Sequence, residues 1–187
     1  VLRPGASRIV KVETPERAVL PLFEDLEKGP DPHSSEIQID IGRLVHLYLE
    51  FHLSDLEFNS PELESLASSM DPLPFDSSVA GGAGEILRRY YAGETRDGAG
   101  IPLIERIKDA RIIAREFPVM LDFQGEAQYR IIDLLLEEGE GIAIVDFKTG
   151  AKPEVMPEKY IEQREVYTRA VEMLAGNKPV SFEFWWM

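Results

Sequence analysis

Apolar positions along the chain follow two periods, and the change between them divides it. From about Ile39 to Leu53 they recur at helical spacing, at Ile41, Leu44, Val45, Tyr48, Leu49 and Leu53, which predicts a helix with one buried stripe. Ser60-Pro61-Glu62 predicts a second helix, with Ser60 as N-cap and Pro61 in the first turn. A proline-containing break covers Asp71 to Asp76, and Gly81-Gly82-Ala83-Gly84 leads into a third helix ending near Tyr91. After Gly98–Gly100 the pattern becomes that of a sheet. Ala110–Leu121 predicts a strand with Ile113, Arg115, Phe117 and Val119 on one face, and Ala127–Glu137 predicts a second, closed by the turn Gly139-Glu140-Gly141. Gly141–Lys148 predicts a third strand, apolar nearly throughout before Asp146 and therefore buried on both faces. Pro157–Ala175 is amphipathic with Gly176-Asn177 as its stop, and Val180–Trp186 predicts the last strand. Helices followed by β-β-β-α-β predict an α/β fold, a mixed β-sheet flanked by helices.

Residues 1–38 read as a lead-in segment. They contain Pro4, Pro15, Pro21, Pro30 and Pro32, with one helix over Pro15–Glu27 and a loop over Gly29–Ser35. Residues 39–187 read as one domain, with a helical region at 39–92 and the β-β-β-α-β core at 110–187. The full 187 residues are enough to bury a continuous core without staples. Nothing resembles a membrane span or a signal peptide. With zero cysteines, disulfides, thiolate zinc sites and iron–sulfur clusters are excluded, and a reducing, cytoplasmic setting fits. The chain opens on Val1 and stops on Phe184-Trp185-Trp186-Met187, so we expect a piece of a longer protein. It carries no Gly-x-x-x-x-Gly-Lys-Ser/Thr loop and hence no ATPase of its own.

The candidate chemistry lies in the sheet. Asp133 and Asp146 each stand at or near the end of an apolar run, and a hairpin would bring the two runs side by side. Strand alternation then puts Asp146 and Lys148 on one face. Two carboxylates beside an ammonium suit a hard divalent cation and a polarised water. Glu116 falls on the preceding strand, His46 on the early helix, and Tyr160, Gln163 and Tyr167 on one stripe of the late helix. Phosphodiester cleavage needs a polarised phosphate, an activated water and stabilisation of developing charge, and these residue types supply all three. The net charge of −14 opposes nucleic-acid binding. Bound metal offsets part of it, and the remainder suggests that other domains deliver the substrate.

Each residue alone has a plainer reading. Asp146 and Lys148 make a strand-end ion pair, Asp133 a solvated carboxylate, Glu116 an outward strand residue, and His46 a satisfied core histidine. The tyrosines are by default core, and Gln163 a buried amide. A zinc site from His46, Glu50 and His52 fails because the two histidines lie on different helix faces. His33 is expected in solvent. No Gly-x-Ser-x-Gly elbow is present. Trp185 and Trp186 are expected to divide between core and surface.

Taken in order, Gly42-Arg43-Leu44-Val45-His46, Arg115-Glu116-Phe117-Pro118, Asp133, Asp146-Phe147-Lys148-Thr149-Gly150 and Tyr160-x-x-Gln163-x-x-x-Tyr167 resemble the PD-(D/E)XK nuclease superfamily. More narrowly they resemble its RecB-like branch, the C-terminal nuclease domain of RecB- and AddA-type helicase–nucleases. The resemblance runs from about Ile41 to Leu174 and implies a restriction-endonuclease-like core. It further implies that His46, Asp133, Asp146 and the Phe147 carbonyl hold Mg²⁺ or Mn²⁺, with Lys148 as the catalytic lysine. Glu116 would act at the edge of the metal site, through water or a second ion. Tyr160, Gln163 and Tyr167 would contact the nucleic-acid backbone. The family often has glycine where this chain has Arg130, which either tightens backbone access or contacts phosphate. Several relatives hold an iron–sulfur cluster with four cysteines, so this chain looks closer to RecB and AddA. The implied function is metal-dependent DNA cleavage leaving 5′-phosphate and 3′-hydroxyl ends, in DNA end processing and recombinational repair, beside a fused or associated helicase. Two alternatives stay open: a non-catalytic nuclease-like module binding DNA or a protein partner, and an unrelated phosphoesterase for small substrates.

Overall fold

The computed structural model describes residues 32–69, 75–123 and 125–187. The helix expected over Pro15–Glu27 lies outside them, as do the side chain of His33 and most of the break before Asp76. The elements run α1 (Pro32–His52), α2 (Ser60–Ser69), α3 (Ser77–Tyr91), α4 (Leu103–Asp109), β1 (Arg111–Phe123), β2 (Glu126–Glu138), β3 (Gly141–Lys148), α5 (Glu158–Ala175) and β4 (Val180–Trp186).

The apolar stripe of α1 is buried as its spacing predicts, from Ile41 to Leu53. The helix nonetheless begins at Pro32, inside the expected loop. Proline is compatible with a first helical turn, where its missing N–H would have had no partner. At α2 the cap is Asn59 rather than Ser60, since the Asn59 side-chain oxygen accepts from the Glu62 N–H at 3.3 Å. Asp76 caps α3 by accepting from the Ser78 N–H at 2.6 Å, so the glycine tract lies within the helix and not ahead of it. Packing requires this: a Cβ on Gly82 would stand 2.5 Å from Ile41 Cδ1 of α1. Helix α4 has no counterpart in the sequence reading, being 7 residues long and too short to show a period.

The end of α1 is held by side chains. A helix leaves its last carbonyls without intrahelical partners. Here the Glu50 and Phe51 carbonyls accept from Arg115 of β1, and those of His52 and Leu53 accept from Tyr91 and Tyr90 of α3. His46, two turns upstream, is thereby fixed relative to the sheet.

Among the described residues, four strands form one mixed sheet in the order β1-β2-β3-β4. The first three are antiparallel neighbours, and β4 returns parallel to β3 after α5. One face packs on α1–α4 through Leu134, Leu136, Ala143, Val145, Phe147 and Trp185. The other packs on α5 through Val119, Leu121, Ile132 and Ile144. Trp185 is buried and Trp186 only half so, dividing them as expected.

The single face expected for Ile113, Arg115, Phe117 and Val119 does not exist. The β1–β2 register shifts between Ile112 and Ala114, and Glu116 takes φ 45°. Arg115 therefore reaches the end of α1 while Phe117 and Val119 pack toward α5.

Arg106 of α4 ties this frame together. Its side chain, 12% exposed, pairs with Glu138 of β2 at 2.8 Å, Glu183 of β4 at 2.7 Å and Asp97 at 3.2 Å. Its guanidinium lies 5.1 Å from the centre of the Trp185 ring. Removing the cation strands a buried carboxylate, so Arg106→Met is expected to cost about 3 kcal/mol or more. A urea melt reads this directly, and a midpoint equal to that of wild type would refute the account.

Candidate active site

The β2–β3 ladder stops at the pair Leu134 and Val145. Beyond it the strands part, and three backbone groups are left to side chains. The Phe147 N–H donates to Asp133 Oδ2 at 2.6 Å. The Phe147 carbonyl accepts from His46 Nε2 at 3.1 Å. The Ile131 carbonyl accepts from the Tyr167 hydroxyl at 2.6 Å. Every group that closes the gap belongs to the residues singled out from sequence.

Because a carbonyl only accepts, His46 Nε2 carries the proton, and in the neutral ring Nδ1 offers a lone pair. Nδ1 stands 3.6 Å from Asp133 Oδ2. Glu116 joins these two: His46, Glu116 and Asp133 each offer a ligand atom, all within 4.8 Å of one another and half-buried. One nitrogen and two carboxylates fit a divalent cation. Gly42 lets α1 come this near, since a Cβ there would stand 2.8 Å from Thr149 Oγ1 just past Lys148.

Asp146 faces the other way, toward α5, and is 2% exposed. Its Oδ1 accepts from Gln163 Nε2 at 2.6 Å. Lys148 Nζ approaches Oδ2 to 2.7 Å as an ion pair, although no donor is aligned on that buried oxygen for a hydrogen bond. Lys148 also donates to Gln163 Oε1 at 3.2 Å, and Gln163 donates to the Tyr167 hydroxyl at 3.1 Å. Asp146 and Lys148 thus share a face as alternation requires, while Asp146 stands outside the His46–Glu116–Asp133 group.

Burial outweighs the Lys148 counter-charge in setting the protonation. Desolvation raises the Asp133 and Asp146 carboxyls to about 7, with Asp133 adding to the rise at Asp146, while Lys148 pulls both down. Desolvation again leads at Glu116, which the carboxylates of Asp133, Glu50 and Asp146 help lift to about 8. Burial lowers His46, favouring its neutral, metal-ligating form. A divalent cation would bind that neutral imidazole as it stands and displace the protons of the closely held carboxyls.

The remaining candidates fall at different distances from this centre. Tyr167 is buried among α5 and the sheet, its phenol raised by that burial. Tyr160 turns toward Lys148, whose Nζ lies 4.8 Å from the ring centre. Arg130 stands to one side, donating to the Tyr129 carbonyl at 3.1 Å. Two participants were given no part in this site by the sequence reading. Glu50, weighed there only for a zinc site, acts on Glu116 from α1, one turn beyond His46. Phe184 of β4 reaches Lys148, which the register of a parallel strand decides and no motif announces.

The sequence pattern of the PD-(D/E)XK nuclease superfamily matches residues 21–186. Over 114 residues the chain is 33% identical to an ATP-dependent helicase/nuclease subunit of Pelotomaculum thermopropionicum. That alignment covers 57% of this chain and 8% of the relative, so the chain spans a small part of that protein's length. No helix among the described residues is long and apolar enough to cross a membrane. A mixed sheet flanked by helices, acidic groups gathered where two strands part, and a pattern match across nearly the whole length agree: the chain belongs to the PD-(D/E)XK nuclease superfamily.

Proposed function

We propose that this domain is a divalent-metal-dependent deoxyribonuclease and the nuclease part of a RecB/AddA-type helicase–nuclease, cytoplasmic and acting in DNA end processing and recombinational repair. The observation that carries the reading is the convergence of His46, Glu116 and Asp133 beside the Asp146–Lys148 pair. His46, Asp133, Asp146 and the Phe147 carbonyl would hold Mg²⁺ or Mn²⁺. The ion would supply polarisation of the phosphate and acidification of a bound water. As a ligand Asp146 would give up its contacts with Gln163 and Lys148. Lys148 would then orient the attacking water or offset charge developing on the phosphate. Glu116, half-buried beside Asp133, would take a proton at the edge of the centre once the ion has ionised it. Gln163 and Tyr167 hold these groups from α5, and Tyr160 and Arg130 would flank the path of the nucleic-acid backbone.

A second reading draws on the net charge of −14. It makes the domain a nuclease-like module that binds a partner without cutting.

Cleavage of linear DNA at low salt separates the two. With Mg²⁺ or Mn²⁺ the wild type is expected to cut, EDTA to stop it, and Asp146→Ala and Lys148→Ala each to abolish it with the far-ultraviolet spectrum unchanged. Full activity in either variant would sink the assignment. Asp133→Ala is expected to weaken Mn²⁺ binding in calorimetry, and unchanged affinity would remove Asp133 from the ligand set.

Stability should carry the same signature. Asp133, Asp146 and Glu116 titrate higher in the fold than unfolded, where carboxyls lose their protons near pH ~4. Their contribution is complete below that pH and is lost as pH rises through 7 to 8. His46, shifted the opposite way, opposes this as a single group. In EDTA the melting temperature should therefore fall between about pH 5 and pH 8, a window in which ordinary carboxylates are already ionised. Mn²⁺ should raise it most at the upper end, and Glu116→Gln should flatten the metal-free slope. A melting temperature in EDTA independent of pH would refute the buried-carboxyl account.

A further inference from the structure

Lys148 meets both polar partners and aromatic rings, and one of those rings, Phe184, belongs to no motif. Asp146 and Gln163 engage its ammonium at 2.7 Å and 3.2 Å. Two aromatic rings also lie near it, Tyr160 of α5 with its centre 4.8 Å from Nζ and Phe184 of β4 at 5.5 Å. We propose that Tyr160 and Phe184 form an aromatic clamp that fixes where Lys148 presents its ammonium, and that Phe184 is a positioning residue for the nuclease reaction. The clamp stands on geometry alone, while the positioning role rests on the nuclease reading.

Phe184 owes its place to the sheet. The parallel register pairs Asp146 with Phe184 and Lys148 with Trp186. Its ring is held in turn by Phe182 at 4.7 Å, Tyr160 at 5.4 Å and Trp186 at 6.2 Å between centres. A lysine on a flexible four-carbon stem visits many rotamers in solvent. Here the ammonium itself meets two rings and two polar partners, which together narrow the positions it can take. An aliphatic wall would strip water from the ammonium and return nothing, whereas the π face returns an attraction. Tyr160 is shared, since Lys159 also lies 5.4 Å from its centre, so Phe184 is the cleaner position to vary.

The test uses this chain with two conservative variants. In the metal-free protein, rings over Lys148 should shift its ε-methylene protons upfield in a ¹H–¹³C spectrum. Phe184→Leu should remove most of that displacement and Phe184→Tyr retain it. In cleavage with Mn²⁺, Phe184→Leu should lower kcat by about tenfold at unchanged KM, and Phe184→Tyr should restore it. Random-coil ε-methylene shifts in the wild type would overturn the clamp. Wild-type kcat in Phe184→Leu would overturn the positioning role. A wild type that cuts nothing would sink the nuclease reading and the role with it, while the spectrum still decides the clamp.

Discussion

The site depends on the place where β2 and β3 come apart. In an antiparallel ladder each strand's N–H and C=O groups are taken by its neighbour, and a parting strands them. Phe147 faces β2 with both of its backbone groups just beyond the last ladder pair. Asp133 takes the N–H and His46 takes the carbonyl. Tyr167 does the same for Ile131 on the other strand. The side chains that keep the split sheet hydrogen-bonded are therefore the ones gathered around the candidate metal site. Fold and site cannot be varied separately here, because losing His46 or Asp133 also strands a backbone group.

The parting also explains how two faces of one sheet serve one site. Phe147 packs toward α1–α4, while Asp146 and Lys148 engage the α5 residue Gln163. In an unbroken sheet those faces would be separated by the strand itself. At the split the sheet has an opening, and His46 approaches through it from α1 closely enough for Asp146 to act on its charge. Glu116, held at φ 45°, brings a third acidic group to the same level. Positive φ at a non-glycine residue is costly, and Arg115 supplies a restraint next to it by bonding the end of α1. The two neighbours act together, one anchored so that the other can turn.

The parts legible in sequence were those written in local period or spacing. The buried run of β3, the shared face of Asp146 and Lys148, and the stripe of Gln163 and Tyr167 each follow from geometry within one element. His46 was legible through the order of motifs rather than through its helix, where it looks like any half-buried residue. What stayed hidden depends on long-range partners. The bulge near Ile113 and the turn at Glu116 break an alternation that sequence alone must assume continuous. Asn59 and Asp76 displaced the expected starts of α2 and α3 because several capping residues stand together there, and tertiary packing selects among them. The glycines of α3 looked like a linker, yet the helix needs them to approach Ile41. Phe184 meets Lys148 only once α5 has carried the chain back to pair β4 with β3.

The acidity of the chain also takes on a different meaning once the residues are placed. A net charge of −14 spread over a surface would simply repel a polyanion. Several of its contributors sit in ion pairs whose cations the count already includes, with Glu138, Glu183 and Asp97 gathered on Arg106, and Glu137 on Arg111 and Lys178. Others are the site carboxyls, which burial lifts to about 7 or 8, so that they hold part of their protons at neutral pH until a cation displaces them. The formal count thus overstates the negative field that an approaching phosphate would meet at the mouth of the site. Lys148, paired with Asp146 and lying near two rings and an amide, is a cation beside those carboxyls. Local arrangement, not total charge, is the quantity that bears on whether nucleic acid can be cut there.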